Sequence, residues 1–145
     1  MPPPLAYFDT SVVVKRYVQE RGAAQARTLL RRHRVLSSAI TPVEVTSALC
    51  RRRATGELGA GDLAAILARL HADRANWELI DVSQAVLQQA EQLLHRTRLK
   101  TLDAIQVASA HATQGLLGNL LPFVTADARQ RDAADLLGLD VIWVE

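Results

Sequence analysis

Residues Leu5–Tyr17 read LAYFDTSVVVKRY. A short apolar run of strand type, Leu5–Phe8, stops at Asp9, and the hydroxyl pair Thr10-Ser11 follows at once. An acid in that place either caps the helix that starts there or stands at the carboxyl end of a strand, where open parallel sheets build their sites. One carboxylate does not decide between these roles. The pattern of the remaining chain does.

Four more short apolar runs have the length and composition of strands: Val35–Ala39, Trp77–Val82, Pro122–Thr125 and Val141–Val144. Helical spacing fills the intervals. Val12–Gln19 and Ala23–His33 carry apolar residues on one side, and a helix begins at Thr41 with Val45, Ala48 and Leu49 on one face. Leu63, Ile66, Leu67 and Leu70 form one stripe, and Val86, Ala90, Leu93 and Leu94 another. Leu102–Ala112, LDAIQVASAHA, is nearly all small or apolar and reads as a central buried helix. Strands alternating with helices predict an α/β fold with a mainly parallel sheet covered on both faces. No repeat or long linker interrupts the pattern, so residues 1–145 are expected to form a single domain.

The 145 residues are 49% hydrophobic and 22% charged, a balance that can bury a core and that excludes a disordered tail. One cysteine, Cys50, rules out an internal disulfide and suits a reducing cytoplasm. No apolar stretch reaches the roughly 18–20 residues that span a bilayer. Pro2-Pro3-Pro4 stands where a secretory signal would carry a basic region, so a cytoplasmic protein is expected. The net charge of +2 permits an acidic partner without requiring one. Arginines cluster at Arg31, Arg32 and Arg34, at Arg51–Arg53, and, with Lys100, at Arg96 and Arg98.

Asp9 has counterparts. Glu44 follows the second strand in ITPVEV, Asp103 opens the buried helix in KTLDAIQVA, and Asp127 follows the fourth strand in FVTADARQ. Each has a purely structural explanation. Thr41-Pro42-Val43-Glu44 reads as a capping box, and Asp103 and Asp127 answer the positive ends of their helices. Together they say more, because Asp103 opens a helix with almost no polar side. A buried carboxylate costs several kcal/mol unless it is paired or binds a metal. Hard oxygen donors without a histidine or cysteine cluster select Mg²⁺ or Mn²⁺; His33, His71, His95 and His111 are scattered. Such a pocket suits metal-assisted hydrolysis of a phosphodiester. The basic clusters, Arg51, Arg52, Arg98 and Lys100 among them, then gain a use in binding a nucleic-acid backbone. If Thr10 or Ser11 does the capping, the Asp9 carboxylate is free to face the metal.

The stretches YFDTSVVVKRY, TPVEVTSAL, LKTLDAIQVASA and FVTADARQ resemble, in order and spacing, the acidic motifs of PIN-domain nucleases, in particular VapC-type toxins of bacterial toxin–antitoxin pairs. The likeness runs from Leu5 to about Val144. It implies a PIN-like three-layer sandwich with a central, mainly parallel five-stranded sheet. It also implies a Mg²⁺- or Mn²⁺-dependent endoribonuclease using one or two ions, a homodimer, and a cognate antitoxin whose C-terminal segment packs over the site. By position, Asp9, Glu44 and Asp103 would be the core catalytic, metal-ligating acids. Asp127 would be the fourth, binding a second ion or orienting water. Thr10, Ser11 and Thr125 stand where such proteins place supporting hydroxyls. Asp132 is a candidate auxiliary acid, with a solvated helix face as the simpler reading. Arg129 and Gln130 depart from the resemblance, since many PIN proteins carry an apolar residue soon after the fourth acid.

Other acid-bearing α/β sites fit less well. A receiver-type phosphoacceptor needs a lysine at the end of its last strand, and LDVIWVE has none. A phosphatase of the Asp-x-Asp type needs an acid two residues after Asp9, where Ser11 stands. The alternative from another class is a non-catalytic PIN-fold module that binds RNA or a protein.

Overall fold

A computed structural model describes residues 2–145. Five strands, β1 (Leu5–Phe8), β2 (Arg34–Ser38), β3 (Glu78–Ile80), β4 (Pro122–Thr125) and β5 (Asp140–Trp143), form one sheet in the order β3-β2-β1-β4-β5. All four pairings are parallel, with Tyr7 opposite both Leu36 and Phe123. Side chains alternate across the strands as the two-residue period demands. Tyr7, Leu36 and Phe123 face one core, and Ala6, Phe8, Val35 and Val124 face the other.

Helices close both faces. On the Tyr7 side lie α5 (Gln84–Arg96), α6 (Thr101–Leu117) and α7 (Ala128–Leu136), through Val86, Leu93, Val107 and Ala133. On the Phe8 side lie α1 (Thr10–Val13), α2 (Ala23–Arg32), α3 (Thr41–Ala54) and α4 (Ala60–Arg74), through Val12, Ala26, Leu49 and Ile66. The result is the expected three-layer α/β sandwich. Burial of these apolar side chains, worth about 1.5–3 kcal/mol for each valine, leucine or isoleucine and less for the alanines, holds the layers together. Among the described residues no helix is long and apolar enough to cross a membrane.

The helix expected over Val12–Gln19 is shorter and starts earlier. α1 ends at Val13, and Val14–Arg16 forms a 3-10 turn. Three consecutive valines restrict side-chain rotamers in a helix and weaken its continuation. Beyond it, Lys15 turns inward and donates to the Arg21 carbonyl at 2.6 Å and to Glu20 at 3.1 Å. Gly22 then starts α2 with φ +82°, and a Cβ there would lie 2.6 Å from the Glu145 carbonyl oxygen. Only glycine meets both the torsion and the close approach.

Candidate active site

β1 and β4 are neighbours, and the Asp9 N–H continues their ladder by donating to the Val124 carbonyl at 3.0 Å. Asp9 is itself the N-cap of α1, with Oδ2 accepting from the Ser11 N–H at 2.9 Å. This corrects the expectation that Thr10 or Ser11 caps in its place. The two hydroxyls bridge elsewhere. Thr10 donates to Glu44 Oε1 at 2.8 Å, and Ser11 Oγ accepts from the Ala126 N–H at 3.0 Å. The second Asp9 oxygen, Oδ1, accepts from the Gln130 side-chain amide at 2.9 Å.

Glu44 does not take part in a capping box. Ile40 is the N-cap of α3 and makes no side-chain cap bond, so Thr41 is already helical and Glu44 lies one position too far along. Tertiary partners take both side chains. Glu44 Oε1 accepts from Thr10 and from the Gln106 amide, the latter at 2.8 Å. The buried Thr41 hydroxyl meets Ser37 at 2.6 Å and accepts from Gln106 at 3.0 Å. Gln106 is fully buried on α6, and its carbonyl oxygen accepts the Tyr7 hydroxyl at 2.6 Å. One amide thus links β1, α1, α3 and α6.

Asp103 is the third residue of α6, directly before the buried run Ala104–Ala110. Its carboxyl is pushed up to about 6, first by burial and then by the negative charges of Asp9, Asp127 and Glu44; Lys100 pulls the other way. The Asp9 carboxyl is raised too, chiefly by burial and also by Glu44, against hydrogen bonds from Ser11 and Gln130. Asp127 caps α7, with Oδ1 accepting from the N–H groups of Arg129 at 2.8 Å and Gln130 at 3.1 Å. Thr125 is fully buried beneath it, accepting the Asp127 N–H at 3.1 Å and donating to the Gln130 carbonyl oxygen at 2.8 Å.

The four acids therefore share one end of the sheet and feel each other's charge. Among the described residues none of them forms a salt bridge. Like charges gathered without an ion-paired cation are unfavourable, and an all-oxygen donor set of this kind fits a hard divalent cation. The set is not a closed cage: no three Asp, Glu, His or Cys side chains among the described residues converge on a common point. Asp103 and Glu44 are only half-buried.

Beside Glu44 opens a cleft of about 470 Å³, lined by Thr10, Ser11, Val43, Arg51 and Leu102. Arg51 is exposed there and donates to Ser47 at 2.9 Å. Arg98 and Lys100 are exposed as well. Arg52 differs, because Glu20 and Glu57 both pair with it. Its charge is committed to a network that also holds Lys15. Asp132 is exposed and pairs with Arg131 on the solvent face of α7.

Sequence reading gave no role to Gln106 or Gln130. A signal exists for the first, a lone amide in a helix otherwise lined by small and apolar residues. For the second, the departure from the PIN pattern was the visible sign.

An all-parallel sheet of this order, with acids from the ends of β1 and β4 and the starts of α3 and α6, defines the class. The family model described as PIN domain matches residues 6–136, and the chain belongs to the PIN-domain family, in its VapC-type branch. It is similar to Ribonuclease VapC46 from Mycobacterium tuberculosis, 39% identical over 137 residues that cover 94% of this chain and 95% of that protein. Ribonuclease VapC35 from the same organism is 34% identical over 141 residues, covering 95% and 96%. Among solved structures, FitAcB from Neisseria gonorrhoeae superposes with a TM-score of 0.69 at 18% identity, over 95% of this chain and 96% of that one. A toxin-antitoxin complex from Klebsiella pneumoniae gives 0.65 at 21%, over 94% and 95%. At these identities the structures establish the shared fold.

Proposed function

We propose that this chain is a Mg²⁺- or Mn²⁺-dependent endoribonuclease, the toxin of a VapBC-type pair, hydrolysing RNA phosphodiesters in the cytoplasm. The observation that carries the reading is the gathering of Asp9, Glu44, Asp103 and Asp127 with no salt bridge to any of them among the described residues. A divalent cation held there would activate water and neutralise charge developing on the phosphate. Asp9, Glu44 and Asp103 are its ligands, and Asp127 supports a second ion or orients water. Thr10, Ser11 and Thr125 hold the acids in place. Arg51, Arg98 and Lys100 remain free to meet the RNA backbone, where each cation adds a salt-dependent increment of affinity.

The names of the relatives support the ribonuclease reading, and the complexes among similar folds support an antitoxin partner. The functional unit is proposed to be a homodimer.

The decisive experiment is cleavage of a labelled RNA by the purified chain in Mg²⁺, in Mn²⁺ and in EDTA. Cutting in either metal and none in EDTA supports the enzyme. RNA binding without cutting in any of them would return the chain to a non-catalytic module. Light scattering on the purified chain tests the dimer, and co-purification with a co-expressed VapB-type antitoxin tests the partner.

A further inference from the structure

We propose that Gln130 is a positioning residue, which fixes the Asp9 carboxylate and ties it to the Asp127 cap before a cation arrives. The inference rests on the metal-site reading above and extends it to a residue outside the acid set.

Gln130 is fully buried in the first turn of α7, where the other buried side chains are Ala133 and Ala134. Packing alone does not call for an amide there; an apolar side chain of similar size would fill the space without the cost of desolvating polar atoms. Every polar group of the residue has a use. Nε2 donates to Asp9 Oδ1 at 2.9 Å, with the Asp103 main-chain carbonyl at 3.5 Å on the same nitrogen. Oε1 accepts from Thr125 Oγ1 at 2.8 Å, and the backbone N–H donates to Asp127 Oδ1 at 3.1 Å. Bonds to two of the four carboxylates, Asp9 and Asp127, thus run through one residue.

The orientation of the amide is set by chemistry. An ionised carboxylate only accepts, so the NH₂ must face Asp9 and the carbonyl oxygen must face the Thr125 hydroxyl. With Ser11 N–H on Oδ2 and Gln130 on Oδ1, the plane of the Asp9 carboxylate is held at both oxygens. Each oxygen keeps a further lone pair for a cation. Among the described residues no hydrogen bond holds the Asp103 carboxylate in this way; Gln130 reaches only its main-chain carbonyl. Partners that orient a ligand in this way commonly set metal affinity, by about 10–100-fold.

The test is Mn²⁺ binding by isothermal titration calorimetry on the full chain, with thermal unfolding in EDTA measured alongside. Gln130→Met keeps the volume and removes the side-chain amide's hydrogen bonds to Asp9, Thr125 and the Asp103 carbonyl. It is expected to bind Mn²⁺ about 10-fold more weakly. Thr125→Val removes the hydroxyl that holds the amide and is expected to weaken binding in the same direction. Thr125→Ser, which restores that hydroxyl, is expected to return to within about 2-fold of wild type. A folded Gln130→Met with wild-type affinity overturns the proposal. Should Gln130→Met not unfold cooperatively, equal affinities of Thr125→Val and Thr125→Ser overturn it instead. Asp9→Asn separates the two levels. If it abolishes binding while Gln130→Met does not weaken it, the metal site stands and the positioning role falls. If Asp9→Asn binds Mn²⁺ as wild type does, or wild type binds none, the metal-site reading itself fails.

Discussion

The Gln106 amide donates to the Glu44 carboxylate across 2.8 Å, fastening the second turn of α6 to the first turn of α3. The same side chain accepts the buried Tyr7 hydroxyl. Gln106→Leu removes the acceptor of that hydroxyl and leaves Glu44 held by Thr10 alone. Leaving a buried polar group unpaired costs about 1–3 kcal/mol, so urea unfolding should show a loss of about 2 kcal/mol, accompanied by weaker RNA cleavage. A variant as stable and as active as wild type would show that this amide matters to neither.

Asp9→Asn and Asp103→Asn each remove one negative charge from the gathered acids while keeping shape. RNA cleavage in Mg²⁺ should fall by about 100-fold or more in each, with the fold intact by circular dichroism. Asp132→Asn, on the solvent face of α7, should stay within about 2-fold of wild type.

The raised Asp103 carboxyl gives the metal-free protein a pH signature. Its folded value, about 6, lies above that of an unfolded aspartate. The folded state therefore favours the protonated form. That contribution to stability is fully present below about pH 4 and is lost as pH rises through about 6. Discounted for a half-exposed group, it amounts to about 1 kcal/mol. In EDTA, Asp103→Asn should match wild type near pH 4 and exceed its stability near pH 7. Wild type more stable than the variant at pH 7 without metal would contradict the assignment.

Asp73 offers a control away from the acids. It binds Arg16 through both oxygens, at 2.7 and 3.3 Å, and accepts the Tyr17 hydroxyl at 2.7 Å. Asp73→Ala should lower stability by about 1 kcal/mol, as expected for a partly buried, bidentate pair. Mn²⁺ affinity should not change.

The sheet and the acids were legible because their signals are local. All four acids stand at helix starts, and three of them closely follow a strand-type apolar run, a pattern contained in four short stretches of sequence. The misreadings came from distant partners. Thr41 to Glu44 satisfies the capping-box pattern, yet Thr10 and Gln106, 34 and 62 residues from Glu44, claim its carboxylate. Arg52 belongs to an exposed-looking basic run, but Glu20, 32 residues earlier, neutralises it. Gln130 meets Asp9 across 121 residues of chain. No window of sequence contains both ends of such a bond. The Val12–Gln19 helix failed for a local reason, because apolar spacing was given more weight than the valine run.

The placement of β4 beside β1 has a consequence for the order of events during synthesis. Asp9 is among the first residues made, but the strand that leads to Asp127 pairs with β1 only after more than a hundred further residues have been added. Pairings between such distant segments are slow to form, since the loop must close before any contact rewards it. A growing chain on the ribosome holds the first three acids without the fourth, and without the glutamine that braces the first. Until β4 and the start of α7 have been made and have docked beside β1, the gathering of acids at this end of the sheet is incomplete.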